Sequence, residues 1–266
     1  MLPTTRDRPA RPRHEGLLAA SASHRQTAMS TWARSALDRS EKLLTLCAPV
    51  DADVASRAGS GLIALTPDDL HTTAVPAELL QRALSDGDHG LGILIRADAV
   101  ITATSRKAHE EIETTLASLC RDHPVSVLCV YDRIGDRDGA GAEHLDLAVA
   151  RHPDGLRGQR LALRRTAHTL YVDGEIDMSN LDVFATALRA LTDTPSPTVR
   201  IDLGGVTFLA AAAVRTLLRD TAPYRQRGAD VEIDATPHIT RILQLLDIHR
   251  LPQLHLSCRG VRANTM

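Results

Sequence analysis

The sequence predicts an α/β protein made of two units, each built around a sheet that helices cover. From residue 16 to about residue 153, short runs that are apolar throughout alternate with helical patterns, which is typical of a parallel sheet buried on both faces. A second series of strand and helix patterns follows the polar, glycine-containing stretch "PDGLRGQR". At 266 residues the chain is long enough for two ordinary domains. We therefore expect a disordered tail over 1–15, a first domain over 16–153, a linker over 154–160, a second domain over 161–256 and a tail over 257–266.

Five apolar runs of the first domain are predicted strands, and four stretches between or after them are predicted helices. The strands are "GLLAA", "KLLTLCA", "GLIALT", "LGILIRA" and "SVLCVYD". The helices are expected at about 24–39, 76–85, 104–119 and 142–151. Because strands and helices alternate along the chain, we expect the strands to pair in parallel.

The second domain has strand patterns in "TLYVDGEID", "TVRIDLGGV" and "ADVEID", with helical patterns between and after them. Ser179 is expected to cap the helix of "SNLDVFATALRAL". Thr236 is expected to cap the helix of "TPHITRILQLL", in which Pro237 takes the first helical position. The buried stripe of this last helix is predicted to contain Ile239, Ile242, Leu243 and Leu246.

The remaining helix of the second domain begins without a polar residue. A helix start usually carries Ser, Thr, Asp or Asn, whose side chain accepts a hydrogen bond from a free backbone N–H group. Between the strand and the helix of "VTFLAAAAVRTLL" the chain instead has Ala210, Ala211, Ala212 and Ala213. These four residues, called the alanine joint below, leave the helix start without a side-chain cap.

Composition argues against several functional classes. A net charge of −2 gives no global field for nucleic acid or for a membrane surface, and an aromatic content of 2% makes base stacking an improbable binding mode. No apolar run approaches the roughly 18–20 residues that a membrane span needs. The N-terminal stretch "MLPTTRDRPARPRHEG" lacks the apolar region of a secretory signal. With four cysteines far apart along the chain, we expect a cytoplasmic protein with free thiols.

The second domain resembles the STAS domain, the fold of anti-sigma factor antagonists. The resemblance covers about 95 residues and depends on the order of "GEID", "RIDLGGVTFLAAAAVRTLL", "RGADVEI" and "ITRILQLLDI". It implies an α/β domain with a mixed sheet. It also implies a protein partner. In the family, an anti-sigma factor that is also a kinase phosphorylates the second Ser of an Asp-Ser-Ser-Gly motif.

Aligned by Phe208, the four motif positions fall on the alanine joint. The positions equivalent to the phosphoacceptor are Ala211 and Ala212, and an alanine methyl cannot accept phosphate. Asp177 and Asp202 remain at family positions near the acceptor loop. The resemblance therefore predicts a partner-docking surface without a phosphorylation switch, made of Asp177, Ser179, Asp202, Ala210, Ala211, Ala212 and Ala213.

The first domain resembles the MEDS domain, a sensory module related to RecA-like ATPases. The stretches that carry the resemblance are "AHEEIETTLA", "VSVLCVYDR" and "AVARHP". It implies a RecA-like-derived parallel sheet and signal sensing without established catalysis. No GxxxxGK[ST] motif is present, so ATP hydrolysis is not expected.

One edge of the first domain is a candidate ligand cleft. Open parallel sheets bind ligands beyond the carboxyl ends of their strands, where "SVLCVYD" places Cys129, Tyr131 and Asp132. His109, at the start of a helix, could hydrogen-bond across the same edge. The alternative is structural, with a buried Cys129, a Tyr131 that fills a helix–sheet gap, an Asp132 that caps a turn and a solvated His109.

Metal binding, cofactors and catalysis are not expected. Structural zinc usually shows two close pairs of ligands along the chain, whereas Cys120 and His123 are the one such pair here. Cys129 is a weak candidate nucleophile because a thiol in an apolar strand has a raised pKa.

The sequence as a whole predicts a non-catalytic signalling regulator that resembles anti-sigma factor antagonists. We expect its second domain to dock an anti-sigma factor, a kinase-like ATPase or a signalling assembly, downstream of a small-molecule or signal sensor. The alternative is a small-molecule sensor whose STAS half is only a dimerisation or scaffold element, and a homodimer is compatible with both.

Overall fold

The computed structural model describes residues 14–72, 90–132, 140–153, 155–193 and 195–258. The chain separates into two compact units, Met1–Ile134 and Gly135–Met266. This division lies upstream of the expected linker at 154–160. Among the described residues, no helix is both long and apolar enough to cross a membrane.

The first unit is an all-parallel sheet among its described strands, in the order β1-β5-β4-β2-β3. Its elements in chain order are β1 (His14–Ala19), α1 (Ala22–Asp38), β2 (Lys42–Leu46), α2 (Ala52–Ala58), β3 (Leu62–Leu65), α3 (Pro67–Thr72), β4 (Leu91–Arg96), α4 (Ala97–Ala103), α5 (Arg106–Asp122) and β5 (Val125–Asp132).

The predicted α/β class and the five predicted strands of this unit are confirmed. The short helices α2, α3 and α4 were not predicted, because one or two turns are too short for a clear helical period. The predicted helix at 76–85 lies outside the described residues. The expected tail over 1–15 is wrong at its end, since His14 and Glu15 already pair with Val127 and Leu128 of β5.

The two faces of β5 pack against different parts of the unit. Leu128 and Val130 pack with Leu17 of β1 and Met29 of α1 in one hydrophobic cluster. Side chains of successive strand residues point to opposite faces, so Cys129 and its alternate neighbours face away from α1. This second face of β5 is the one that meets α5.

The second unit is a mixed sheet, with strands that pair in chain order. The β6–β7 and β7–β8 pairs are antiparallel, and the β8–β9, β9–β10 and β10–β11 pairs are parallel. Its elements are α6 (Ala140–Arg151), β6 (Leu156–Arg157), β7 (Leu161–Arg165), β8 (Thr169–Ile176), α7 (Leu181–Thr192), β9 (Thr198–Leu209), α8 (Ala211–Gln226), β10 (Asp230–Ala235), α9 (Pro237–Leu245) and β11 (Leu254–Cys258).

Two boundaries of the second unit differ from the expectation. The stretch 154–160 is not a free linker, because Leu156 and Arg157 pair with Leu163 and Ala162 of β7. The expected tail over 257–266 begins inside β11, which ends at Cys258. Both segments look like loops in sequence because these strands are short and carry polar residues.

The predictions for the three helix starts of this unit have different outcomes. Thr236 caps α9 through a hydrogen bond from the N–H of Ile239, with Pro237 in the first turn, as predicted. Ser179 is not the cap of α7, whose N-cap residue is Asn180 and makes no side-chain capping bond. α8 begins at Ala211 without a side-chain cap, which confirms the expectation for the alanine joint.

The buried stripe predicted for α9 is only partly correct. Ile239 and Leu243 are fully buried, and Ile242 is half-buried. Leu246, however, lies beyond the helix end and is exposed.

Candidate functional site

The alanine joint lies where β8 and β9 end side by side. Ile176 is the register partner of Leu209 at the ends of these two parallel strands. The N–H of Ala210 donates to the carbonyl of Ile176 at 2.9 Å, which extends the pairing by one residue. The loop after β8 and the start of α8 therefore share one edge of the sheet.

Two N–H groups in the first turn of α8 are hydrogen-bonded without any side chain. Ala210 has φ −67° and ψ 150°, the extended conformation of an N-cap residue. Its carbonyl accepts hydrogen bonds from the N–H groups of both Ala213, at 2.9 Å, and Val214, at 3.3 Å. A single carbonyl thus serves two donors of the first turn.

The edge around the joint exposes apolar side chains. Phe208, the second-last residue of β9, is 51% exposed, and Met178, in the loop after β8, is 72% exposed. Ala211 is exposed and Ala212 is half-buried, whereas Ala213 is fully buried. We call Met178, Phe208, Ala211 and Ala212 the joint surface.

The loop beside the joint surface holds a fixed negative charge. Oδ1 of Asp177 accepts hydrogen bonds from Oγ of Ser179 at 2.6 Å and from its N–H at 2.8 Å. These bonds keep the pKa of Asp177 below its ordinary value. Asn180, which is buried, closes the loop by accepting from the N–H of Asp177 and donating to the carbonyl of Glu175.

Asp202 does not belong to this exposed edge. Its side chain is buried, and its Oδ1 accepts a hydrogen bond from the N–H of Gly204 at 2.8 Å. The structure therefore corrects two members of the predicted docking surface. Asp202 shapes the β9 backbone from inside the unit, and Ala213, in the first turn of α8, is fully buried against the unit, so neither is available to a partner.

The predicted ligand cleft of the first unit is a buried polar cluster rather than an open cleft. His109, Cys129 and Tyr131 are all fully buried. Nε2 of His109 lies 3.3 Å from the Tyr131 hydroxyl, which also donates to Oε1 of Glu113 at 3.2 Å. The interpretation of His109 as a solvated first-turn residue is therefore wrong.

Asp132 lies apart from this cluster. Its carboxylate forms an ion pair with Arg25 of α1, and Arg96 lies 3.8 Å from the same oxygen. Because Asp132 and Tyr131 are adjacent in β5, their side chains point to opposite faces of the sheet. Of the four residues predicted for the cleft, three gather on the α5 face and Asp132 is on the α1 face.

Two members of the cluster were not predicted. Oε2 of Glu113 lies 2.8 Å from Nε2 of His14, and Sγ of Cys129 lies 3.5 Å from the same nitrogen. Glu113 follows His109 by four residues, so it shares its helix face, and this spacing could have revealed it. His14 carries no such local signal, because it reaches the cluster only through the pairing of β1 with β5.

Burial keeps the cluster thiol protonated. Cys129 is fully buried, and its pKa is raised well above the ordinary value, first by desolvation and then by the neighbouring Glu113 carboxylate. A neutral thiol is a poor nucleophile. The cluster as it stands therefore offers hydrogen-bonding and ligating atoms rather than an activated nucleophile.

Comparison with known proteins bears on the second unit. Residues 160–255 match the family model described as "Mlab, STAS domain". The second unit matches the STAS family. A solved structure, the crystal structure of an anti-sigma factor antagonist from Mycobacterium paratuberculosis, is similar with 22% identity over 36% of this chain and 83% of that chain, at a TM-score of 0.30. No curated protein matches the chain.

Proposed function

We propose that this chain is a non-catalytic signalling regulator that docks a protein partner through the joint surface of its STAS-like unit. The observation that carries the proposal is the exposure of Phe208 and Met178 beside the start of α8. Large exposed apolar side chains that share one edge are a feature of protein interaction sites. The family match supports a regulator that binds a protein, and the partner class is an anti-sigma factor or a related kinase-like ATPase.

The same proposal holds that the joint surface is not switched by phosphate. A phosphoryl group adds nearly two negative charges, which disrupts an apolar docking surface. Ala211 and Ala212 offer no hydroxyl to accept it. Control of docking is then left to the first unit, for which the MEDS resemblance proposes a sensory role.

Docking is tested by affinity capture of the full chain from its native cells, followed by identification of the captured ATPase. The Phe208→Ser variant is expected to lose this ATPase. The matched control is Leu245→Ser, because Leu245 is 76% exposed but lies at the end of α9, outside the joint surface. Equal recovery by both variants, or self-association of the chain with no captured ATPase, contradicts docking and favours the scaffold alternative.

Phosphorylation is tested with the captured kinase and labelled ATP. The wild-type chain is expected to remain unlabelled, whereas Ala212→Ser restores a hydroxyl at the acceptor-equivalent position and is expected to gain label. Thr207 and Ser179 are the exposed hydroxyl residues that flank the joint surface. Label on either of them in the wild-type chain overturns the idea of a surface without a switch.

A further inference from the structure

We propose that the first unit binds a divalent transition metal of the zinc type, with Nε2 of His14, a carboxylate oxygen of Glu113 and Sγ of Cys129 as its ligands. These three donor atoms all lie within 4.8 Å of one another, and their side chains are buried. Imidazole, carboxylate and thiolate are the ligand types that zinc takes in proteins. The proposal is independent of partner docking by the second unit.

The spacing of the donor atoms fits a small cation. A four-coordinate zinc with bonds of about 2.0–2.3 Å holds its ligand atoms about 3.3–3.7 Å apart. Here Nε2 of His14 lies 2.8 Å from Oε2 of Glu113 and 3.5 Å from Sγ of Cys129. The two separations from His14 are therefore within about half an ångström of those in a zinc site, and the carboxylate oxygen of Glu113 lies within 4.8 Å of Sγ of Cys129.

Charge balance is also compatible with a divalent cation at this position. The buried Glu113 carboxylate now contacts Tyr131 and His14, and a metal between Glu113 and His14 would compensate its charge in place of the direct contact. When the metal binds, the thiol of Cys129 loses its proton to solvent and a metal–sulfur bond forms. A charge of +2 on the metal then meets −1 on Cys129 and −1 on Glu113, with His14 neutral, so the buried set has no net charge.

The neighbours of the ligands hold Glu113 in the required orientation. The Tyr131 hydroxyl donates to Oε1 of Glu113 at 3.2 Å, and Nε2 of His109 lies 3.2 Å from the same oxygen. Oε2 is thereby turned towards His14. Groups that orient a ligand in this way typically change metal affinity 10–100-fold when they are removed.

Sequence spacing gave no hint of the site, because its ligands come from β1, α5 and β5 rather than from two close pairs along the chain.

The proposal is tested by titrating the metal-stripped full chain with Co²⁺ as a spectroscopic probe. We expect one equivalent to bind, with a thiolate-to-cobalt charge-transfer absorption that Zn²⁺ abolishes by displacing the cobalt. Cys129→Ser is expected to lose this absorption and to weaken binding at least tenfold, and His14→Gln to weaken it similarly. The matched control is Cys47→Ser, since Cys47 is also a buried cysteine of the first unit but lies outside the cluster.

Circular dichroism of each variant separates loss of metal from loss of fold. Tyr131→Phe keeps all three ligands, so we expect it to keep the charge-transfer absorption with 10–100-fold weaker cobalt affinity. Absence of stoichiometric binding to the wild-type chain overturns the proposal. So does cobalt binding without the thiolate absorption, or a folded His14→Gln variant with unchanged affinity. Should Cys129→Ser fail to fold, these results on the other chains still decide the matter.

Discussion

Replacing Ala210 with Ser should supply the side-chain cap that α8 lacks. The backbone of Ala210, at φ −67° and ψ 150°, nearly matches that of Thr236, at φ −63° and ψ 158°, which does cap α9. The Thr236 hydroxyl oxygen accepts from the N–H three residues ahead. A hydroxyl at position 210 is therefore in place to accept from the N–H of Ala213 without any change of backbone.

The expected gain in stability depends on the hydrogen bond that the N–H of Ala213 already makes. A side-chain N-cap is typically worth about 0.5–2 kcal/mol relative to Ala. In this helix the N–H of Ala213 already donates to the carbonyl of Ala210 at 2.9 Å. The new hydrogen bond replaces an existing one to a carbonyl that also accepts from Val214, and it does not satisfy an unbonded N–H group. We therefore expect the lower part of that range, about 0.5–1 kcal/mol.

Hydrogen exchange of the α8 amides measures this gain in the full chain. A stabilisation of about 0.5–1 kcal/mol slows exchange about two- to fivefold where these amides exchange through opening of the helix. Ala211→Ser is the matched control, because a hydroxyl one residue later is inside the helix and should give no slowing. Trp32 is the single tryptophan and belongs to the first unit, so its fluorescence unfolding transition should not move. Unchanged or faster exchange in Ala210→Ser would refute the capping argument.

Three further changes have expected outcomes in the second unit. Gly174→Ala should destabilise it by about 2–4 kcal/mol in urea unfolding, because φ is +97° and the added methyl would overlap the carbonyl oxygen of Arg160. Ser179→Ala should raise the pKa of Asp177 towards its ordinary value in an NMR titration, and the stability difference from wild type should be present at neutral pH and vanish as the pH falls below the folded pKa. Tyr224→Phe should lower the free energy of unfolding by about 1–2 kcal/mol, and with it the melting temperature, because the Tyr224 hydroxyl donates to the backbone carbonyl of Ser196 at 2.6 Å.

Local patterns in the sequence predicted the second unit well because its elements depend on short-range rules. Thr236 and Pro237 mark the start of α9 by residue type alone, and the alanine joint marks an uncapped start in the same way. Ser179 was misassigned because the same residue type also bonds within a loop, and here its hydroxyl donates to Asp177 instead. Asp202 was assigned to the docking surface by its family position near the acceptor loop, and such an alignment carries no information on its burial.

The polar cluster of the first unit was less predictable because it depends on register. Cys129 and Tyr131 were found by their position at the end of an apolar strand, and His109 by its position at a helix start. Bringing His14 to Cys129 requires the pairing that sets Gly16 opposite Cys129, which no local signal encodes. The cluster was hard to predict because its residues are far apart in the sequence, and not because of their chemistry.

The negative charge of Asp177 beside the joint surface bears on the proposed function. A phosphorylated acceptor would bring negative charge to this edge only after a kinase had acted. Here the hydrogen bonds from Ser179 lower the pKa of Asp177, so its carboxylate is ionised at any pH above the acidic range. The edge thus combines a permanent charge at Asp177 with apolar surface at Phe208 and Met178. A partner that recognises this combination would meet the same surface at all times, and regulation of its binding would have to come from elsewhere in the chain.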